Sequence, residues 1–70
     1  MKKAEYIERY IKSLHEYFND WTDQGRIAKY QKTREQEFVL ENVFGMSQED
    51  VKEIYNEEYR KSREEERGNV

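Results

Sequence analysis

A chain of 70 residues, 34% of them hydrophobic and 41% charged, with a net charge of −3, has material for one small domain. That is near the lower end of what folds alone on a single core. The chain has no cysteine, which excludes a disulfide framework and thiolate chemistry; no stretch approaches the ~18 apolar residues of a spanning helix; and neither sign of charge dominates enough to mark a nucleic-acid binder by itself.

The core has to be built mostly from aromatics: six Tyr, three Phe and one Trp, each able to bury roughly 150–250 Å². With so thin a core, a homodimer or a surface for a protein partner is expected. The charge is unevenly spread: residues 1–46 carry eight acidic and eight basic side chains, whereas residues 47–70 carry eight acidic and five basic ones. The start Met1-Lys2-Lys3 is not expected to lead into a signal peptide, because Glu5, Glu8 and Arg9 interrupt any apolar run. The expectation is a cytoplasmic chain with no membrane partner.

There is no proline, and the three glycines at 25, 45 and 68 are the natural punctuation. They divide the chain into three helices, about 3–21, 26–44 and 48–64, forming one all-α domain over 1–67 with a frayed tail at 65–70. In the first helix, Ala4, Ile7, Tyr10, Ile11, Leu14, Tyr17, Phe18 and Trp21 fall on one face. Glu8 and Lys12 form an i,i+4 pair in the favourable order.

The second helix reads less cleanly. Ile27 and Tyr30 begin an apolar face that lapses until Phe38, Val39, Leu40, Val43 and Phe44. Thr33 with Gln36 matches a capping box that would restart the helix at 34, but no strong breaker stands there, which favours one long helix. The third helix has the best-marked start. Ser47 is placed as N-cap, Asp50 answers it at N3, and Met46 and Val51 are spaced for a hydrophobic staple. Val51, Ile54, Tyr55 and Tyr59 form its buried stripe. The three consecutive helices are expected to pack antiparallel.

Four patterns invite a chemical reading. The segment Asp20–Gln31 matches a calcium-binding EF-hand loop at Asp20, Gly25 and Ile27. It has Thr22, Gln24 and Gln31 where that loop needs oxygen ligands of higher charge, so a helix–helix turn with a left-handed Gly25 is the leading reading. The segment from Val39 to Tyr55 resembles the helix-turn-helix family, with Gly45 at the turn and Ser47 capping the next helix. The resemblance implies close packing of helices 2 and 3 and a DNA-reading third helix. However, Glu41 stands where that family has a small residue, and the third helix presents Gln48, Glu49, Asp50, Glu53, Glu57 and Glu58, which would repel phosphate. The run Arg26, Lys29, Lys32 and Arg34 around Tyr30 is the better nucleic-acid candidate. A solvated face, or pairing with the acidic third helix, is the plainer explanation. Finally, His15 is the only histidine; with no cysteine it cannot build a typical zinc site, and packing explains it.

No nucleophile, metal cluster or cofactor motif stands out, and a helical domain of this size rarely encloses a substrate cleft of about 300 Å³. The expectation is a non-enzyme without catalytic, metal or cofactor residues. The surplus of tyrosine points instead to protein contact, with Tyr6, Tyr30, Tyr55 and Tyr59 as candidate contact residues. The resulting expectation is a small helical interaction module that binds and modulates a larger partner. By analogy of size and style it resembles the small accessory and inhibitor proteins of bacteria and phages. Nucleic acid, held by Arg26, Lys29, Lys32 and Arg34, is the alternative partner.

Overall fold

The computed structural model describes residues 2–68, with side chains through residue 64. It contains three helices, α1 (Lys3–Phe18), α2 (Asp23–Asn42) and α3 (Gln48–Gly68), and no strand among the described residues. None of these helices is long and apolar enough to cross a membrane.

The cross-helix contacts define the topology. Tyr6 meets Phe44, Tyr10 meets Glu37 and Tyr17 meets Tyr30, so α1 and α2 run antiparallel. His15 meets Glu58 and Phe18 meets Tyr59, so α1 and α3 run parallel. α1 is the shared partner: the other two helices pack on it and touch each other least. Accordingly it supplies Tyr10, Leu14 and Phe18 to a core completed by Leu40 of α2 and Val51 of α3. Ile7, Phe44, Met46 and Ile54 close its edges.

The first turn differs from the sequence expectation. α1 stops at Phe18 because Asp20 folds its side chain back on the chain. Its carboxylate accepts from the Thr22 backbone N–H at 2.9 Å and from the Thr22 hydroxyl at 2.6 Å, a local turn that competes with further helix. Thr22 then caps α2 by accepting from the Gly25 N–H at 3.3 Å. Gly25 therefore lies inside α2 and is not the left-handed residue of the turn; Gly45, at φ 72°, is the only residue with positive φ among the described residues. Gly25 is needed for space, since a Cβ there would collide with the Asp20 carboxylate and the Thr22 hydroxyl. Trp21, expected at the end of the α1 stripe, falls in this turn and is 71% exposed.

α2 is continuous through Thr33. The Thr33 hydroxyl donates back to the Tyr30 carbonyl at 2.8 Å and so is not used to cap a new helix. α2 ends by a glycine device: Met46 N–H reaches the Leu40 carbonyl at 3.0 Å, and Gly45 takes the left-handed conformation that this reversal requires. The start of α3 matches the expectation, with the Ser47 hydroxyl accepting from the Asp50 N–H at 3.1 Å. Met46 and Val51 join the same cluster. The helical backbone runs on to Gly68, past the end expected near 64 and into the segment expected to fray. Carboxylates and cations at i,i+3 spacing support its polar second half: Arg60 bridges Glu57 and Lys61 bridges Glu58, both across one turn. Of the expected tail, 69–70 lie outside the described residues.

Candidate functional site

α2 is turned against its own apolar pattern. The face it sets on α1 carries Thr33, 1% exposed, and half-buried Gln36 and Glu37 beside Leu40. Thr33 and Glu37 can line that face because they find partners: the Thr33 hydroxyl donates to the Tyr30 carbonyl at 2.8 Å, and Glu37 accepts the Tyr10 hydroxyl at 2.7 Å and the Arg34 guanidinium at 3.3 Å. Gln36 Oε1, by contrast, is buried with no hydrogen-bond partner among the described residues. Burial first, and the Glu37 carboxylate second, hold the Tyr10 hydroxyl well above its ordinary pKa. The apolar residues displaced by this arrangement face outward: Ile27, Phe38 and Val43 are 61%, 65% and 70% exposed.

Phe38 stands at the rim of a groove of about 650 Å³ between α2 and α3. Tyr30 and Phe38 come from α2, and Val51 and Tyr55 from α3; Arg34, Glu37, Glu41 and Lys52 add charge. The groove exists because α2 and α3 do not close on each other. Glu41, which departs from the small residue of the helix-turn-helix pattern, lines this separation. The groove exceeds the 300 Å³ not expected of so small a domain, although it is an open-sided trough and not an enclosed cleft. What it offers chemically is aromatic and aliphatic contact, one guanidinium lying 5.5 Å over the Tyr30 ring, and unequally paired carboxylates.

The four candidate contact tyrosines do not form one patch. Tyr30 and Tyr55 come together in the groove. Tyr55 is half-buried with its ring edge on Phe18 at 5.4 Å, and burial first of all raises its hydroxyl pKa. Tyr59 also packs its edge on Phe18 at 5.4 Å but lies outside the groove, beside Trp21 and Arg63. Tyr6, expected to be exposed, is half-buried against Phe44 at 5.3 Å. The residue that sequence reasoning missed is Phe38, assigned to the apolar face of helix 2. The available signal was the lapse between Tyr30 and Phe38, which shows that the apolar residues of this helix do not share one stripe.

The basic run is mostly engaged inside the chain. Arg26 lies 5.0 Å over the Tyr17 ring and donates to the Asp20 carbonyl at 3.2 Å. Lys29 bridges the Asp20 carboxylate at 2.7 Å, and Arg34 bridges Glu37. These partners come from α1, its turn and α2 itself, not from the acidic third helix. Lys32 is exposed and has no such partner among the described residues. The Lys29 ammonium and the Thr22 donors hold the Asp20 carboxyl well below the usual carboxylate range. A lysine thus occupies the place a cation would take in the EF-hand reading, and residues 23–31 are helix and not loop.

The chain matches no family model, no curated protein and no solved structure. The would-be recognition face of α3 presents Gln48, Glu49, Asp50, Glu53 and Glu57 to solvent, a distribution suited to cationic contacts and opposed to phosphate. His15, by contrast, is a structural bridge: its Nε2 stands 2.8 Å from Glu58.

Proposed function

We propose that this chain is a small helical interaction module that binds a larger protein partner and modulates it, with the α2–α3 groove as its docking surface. The observation that carries the reading is Phe38: a phenylalanine 65% exposed, on the rim of a trough walled by Tyr30, Val51 and Tyr55. Aromatic anchors beside apolar hollows are what protein interfaces concentrate their binding energy in, and a groove between two helices suits an amphipathic helix of the partner. A cysteine-free chain with this surface fits a cytoplasmic accessory or inhibitor role.

The nucleic-acid reading ranks second, because three of the four cations it relies on already have partners in the chain. It predicts salt-sensitive binding that weakens when Lys29, Lys32 and Arg34 are neutralised.

The test is a comparative pull-down from bacterial lysate, with nuclease present. Proteins retained by the wild-type chain are expected to be lost with Phe38→Asp and kept with Val43→Asp, an equally exposed position outside the groove. Identical retention by both variants would sink the groove as the docking surface.

A further inference from the structure

The groove-side stripe of α2 has charges arranged to complement a second copy of itself. Arg34 precedes Phe38 by four residues and Glu41 follows it by three, so the three side chains share one face of the helix. Two such helices laid antiparallel across a two-fold axis beside Phe38 set Arg34 of each copy opposite Glu41 of the other. The same contact is made twice, as an isologous interface requires. A parallel arrangement would set like charges against each other, so the pattern selects the antiparallel one. Glu41 makes no ion pair among the described residues, and the bridge Arg34 makes to Glu37 leaves its side chain 64% exposed. The trough beside Phe38, walled by Val51 and Tyr55, has room for the ring of the second copy. Val43 is as exposed as Phe38 but has no cation within four residues on either side, so no such complement can form around it.

We infer that this chain pairs with a second copy of itself through the α2–α3 groove, as a two-fold dimer with reciprocal Arg34–Glu41 bridges flanking two Phe38 rings. The inference rests on the reading of the groove as a protein-docking surface and assigns that surface, in the chain without its larger partner, to a second copy. Few side chains take part and the ion pairs lie at a surface, so the dimer is weak and concentration-dependent.

Sedimentation equilibrium of the full chain over a concentration series tests it. The wild type is expected to rise from 8.7 kDa towards twice that mass. Arg34→Glu and Glu41→Arg are each expected to stay monomeric with unchanged helix content by circular dichroism. An equimolar mixture of the two is expected to regain the dimer, because each then supplies the charge the other lacks. Should Glu41→Arg lose helicity, the milder pair Arg34→Gln and Glu41→Gln replaces the charge-reversal variants, and each is expected to weaken the dimer several-fold. A wild type that is monomeric throughout overturns the self-pairing alone, since the groove reading is decided by its own pull-down. A dimer indifferent to Phe38→Asp and to both charge variants overturns the self-pairing too, by placing the contact elsewhere. A mixture that stays monomeric overturns the antiparallel geometry and with it the proposal.

Discussion

His15 Nε2 and Glu58 Oε1 stand 2.8 Å apart and tie the last turn of α1 to the middle of α3. A carboxylate only accepts, so the imidazole proton in this bond sits on Nε2. Glu58 is 7% exposed, yet its second oxygen is also held, by Lys61 Nζ at 3.3 Å. Burial works against the charge on Glu58, but the bonds from His15 and Lys61 outweigh it and leave the carboxyl below its ordinary value of 4.5.

That direction fixes the acid limb of stability. A carboxyl depressed in the folded state stabilises the fold above its unfolded pKa, and the contribution is lost as pH falls through the lower folded value. Asp20 is depressed in the same sense. The melting temperature is therefore expected to hold above about pH 4.5 and to drop below it. Glu58→Gln is expected to flatten that drop, as thermal denaturation across pH 2–7 will show. At neutral pH, His15→Ala is expected to cost about 1–3 kcal/mol, because it leaves a buried carboxylate short of a donor. An unchanged melting temperature in His15→Ala would remove the bridge from the account.

The alkaline limb belongs to Tyr10, which is fully buried and donates to Glu37. Its hydroxyl is raised above the ordinary 10.0 by burial and by the facing carboxylate. A raised group stabilises fully below its unfolded pKa, and the contribution fades as pH climbs past it. Ultraviolet titration is expected to show at least one of the six tyrosines refusing to ionise until the chain unfolds. Tyr10→Phe is expected to remove one late-ionising tyrosine, leaving Tyr55 raised by burial, and to cost about 1.5–3 kcal/mol at neutral pH, the worth of a hydrogen bond to a charged group.

The elements that were legible in the sequence are those whose local and tertiary signals agree. α1 carries its apolar residues at helical spacing, and Tyr10, Leu14 and Phe18 are buried as that spacing implies. Ser47, Met46 and Val51 mark the start of α3 by capping and staple chemistry that acts within one turn. The existence and continuity of α2 were legible too, but its inward face was not, for the opposite reason. Its inward face depends on Glu37 finding Tyr10, 27 residues away, and no local pattern announces that partner. The groove follows from the same displacement, so Phe38 could be read as a hydrophobic residue but not as an exposed one. Asp20 is the other case: a helix–helix turn was legible in its segment, but was assigned to a left-handed Gly25, whereas the turn-former is Asp20 itself, paired with Lys29.

The two interior glycines are expected to resist alanine for different reasons. Alanine usually favours a helix over glycine by about 1 kcal/mol, yet Gly25→Ala is expected to destabilise, because the new Cβ displaces the Asp20 and Thr22 cap. Gly45→Ala meets nothing within 4 Å but must hold φ 72°, at a cost of about 1–2 kcal/mol. Gly45→Asn should cost less, since asparagine tolerates that region. Urea denaturation separates the cases: Gly25→Ala should become harmless once Asp20 and Thr22 are both alanine, whereas Gly45→Ala should be unaffected by that background.

Trp21 and Phe18 sit three residues apart in the sequence and on opposite sides of the energetics. Phe18 is 9% exposed and takes the edges of Tyr55 and Tyr59, so Phe18→Ala is expected to cost about 3–5 kcal/mol. Trp21 lies in the turn that Asp20 forces, outside α1 and 71% exposed. Trp21→Ala is therefore expected to change stability by no more than about 0.5 kcal/mol, as surface substitutions do. Its indole, the only one in the chain, should fluoresce as a hydrated group and be quenched by iodide in the native state almost as readily as in urea. Buried emission and strong protection would return Trp21 to the apolar stripe of α1. They would also mean that the helix continues past Asp20, which the cap at Thr22 does not allow.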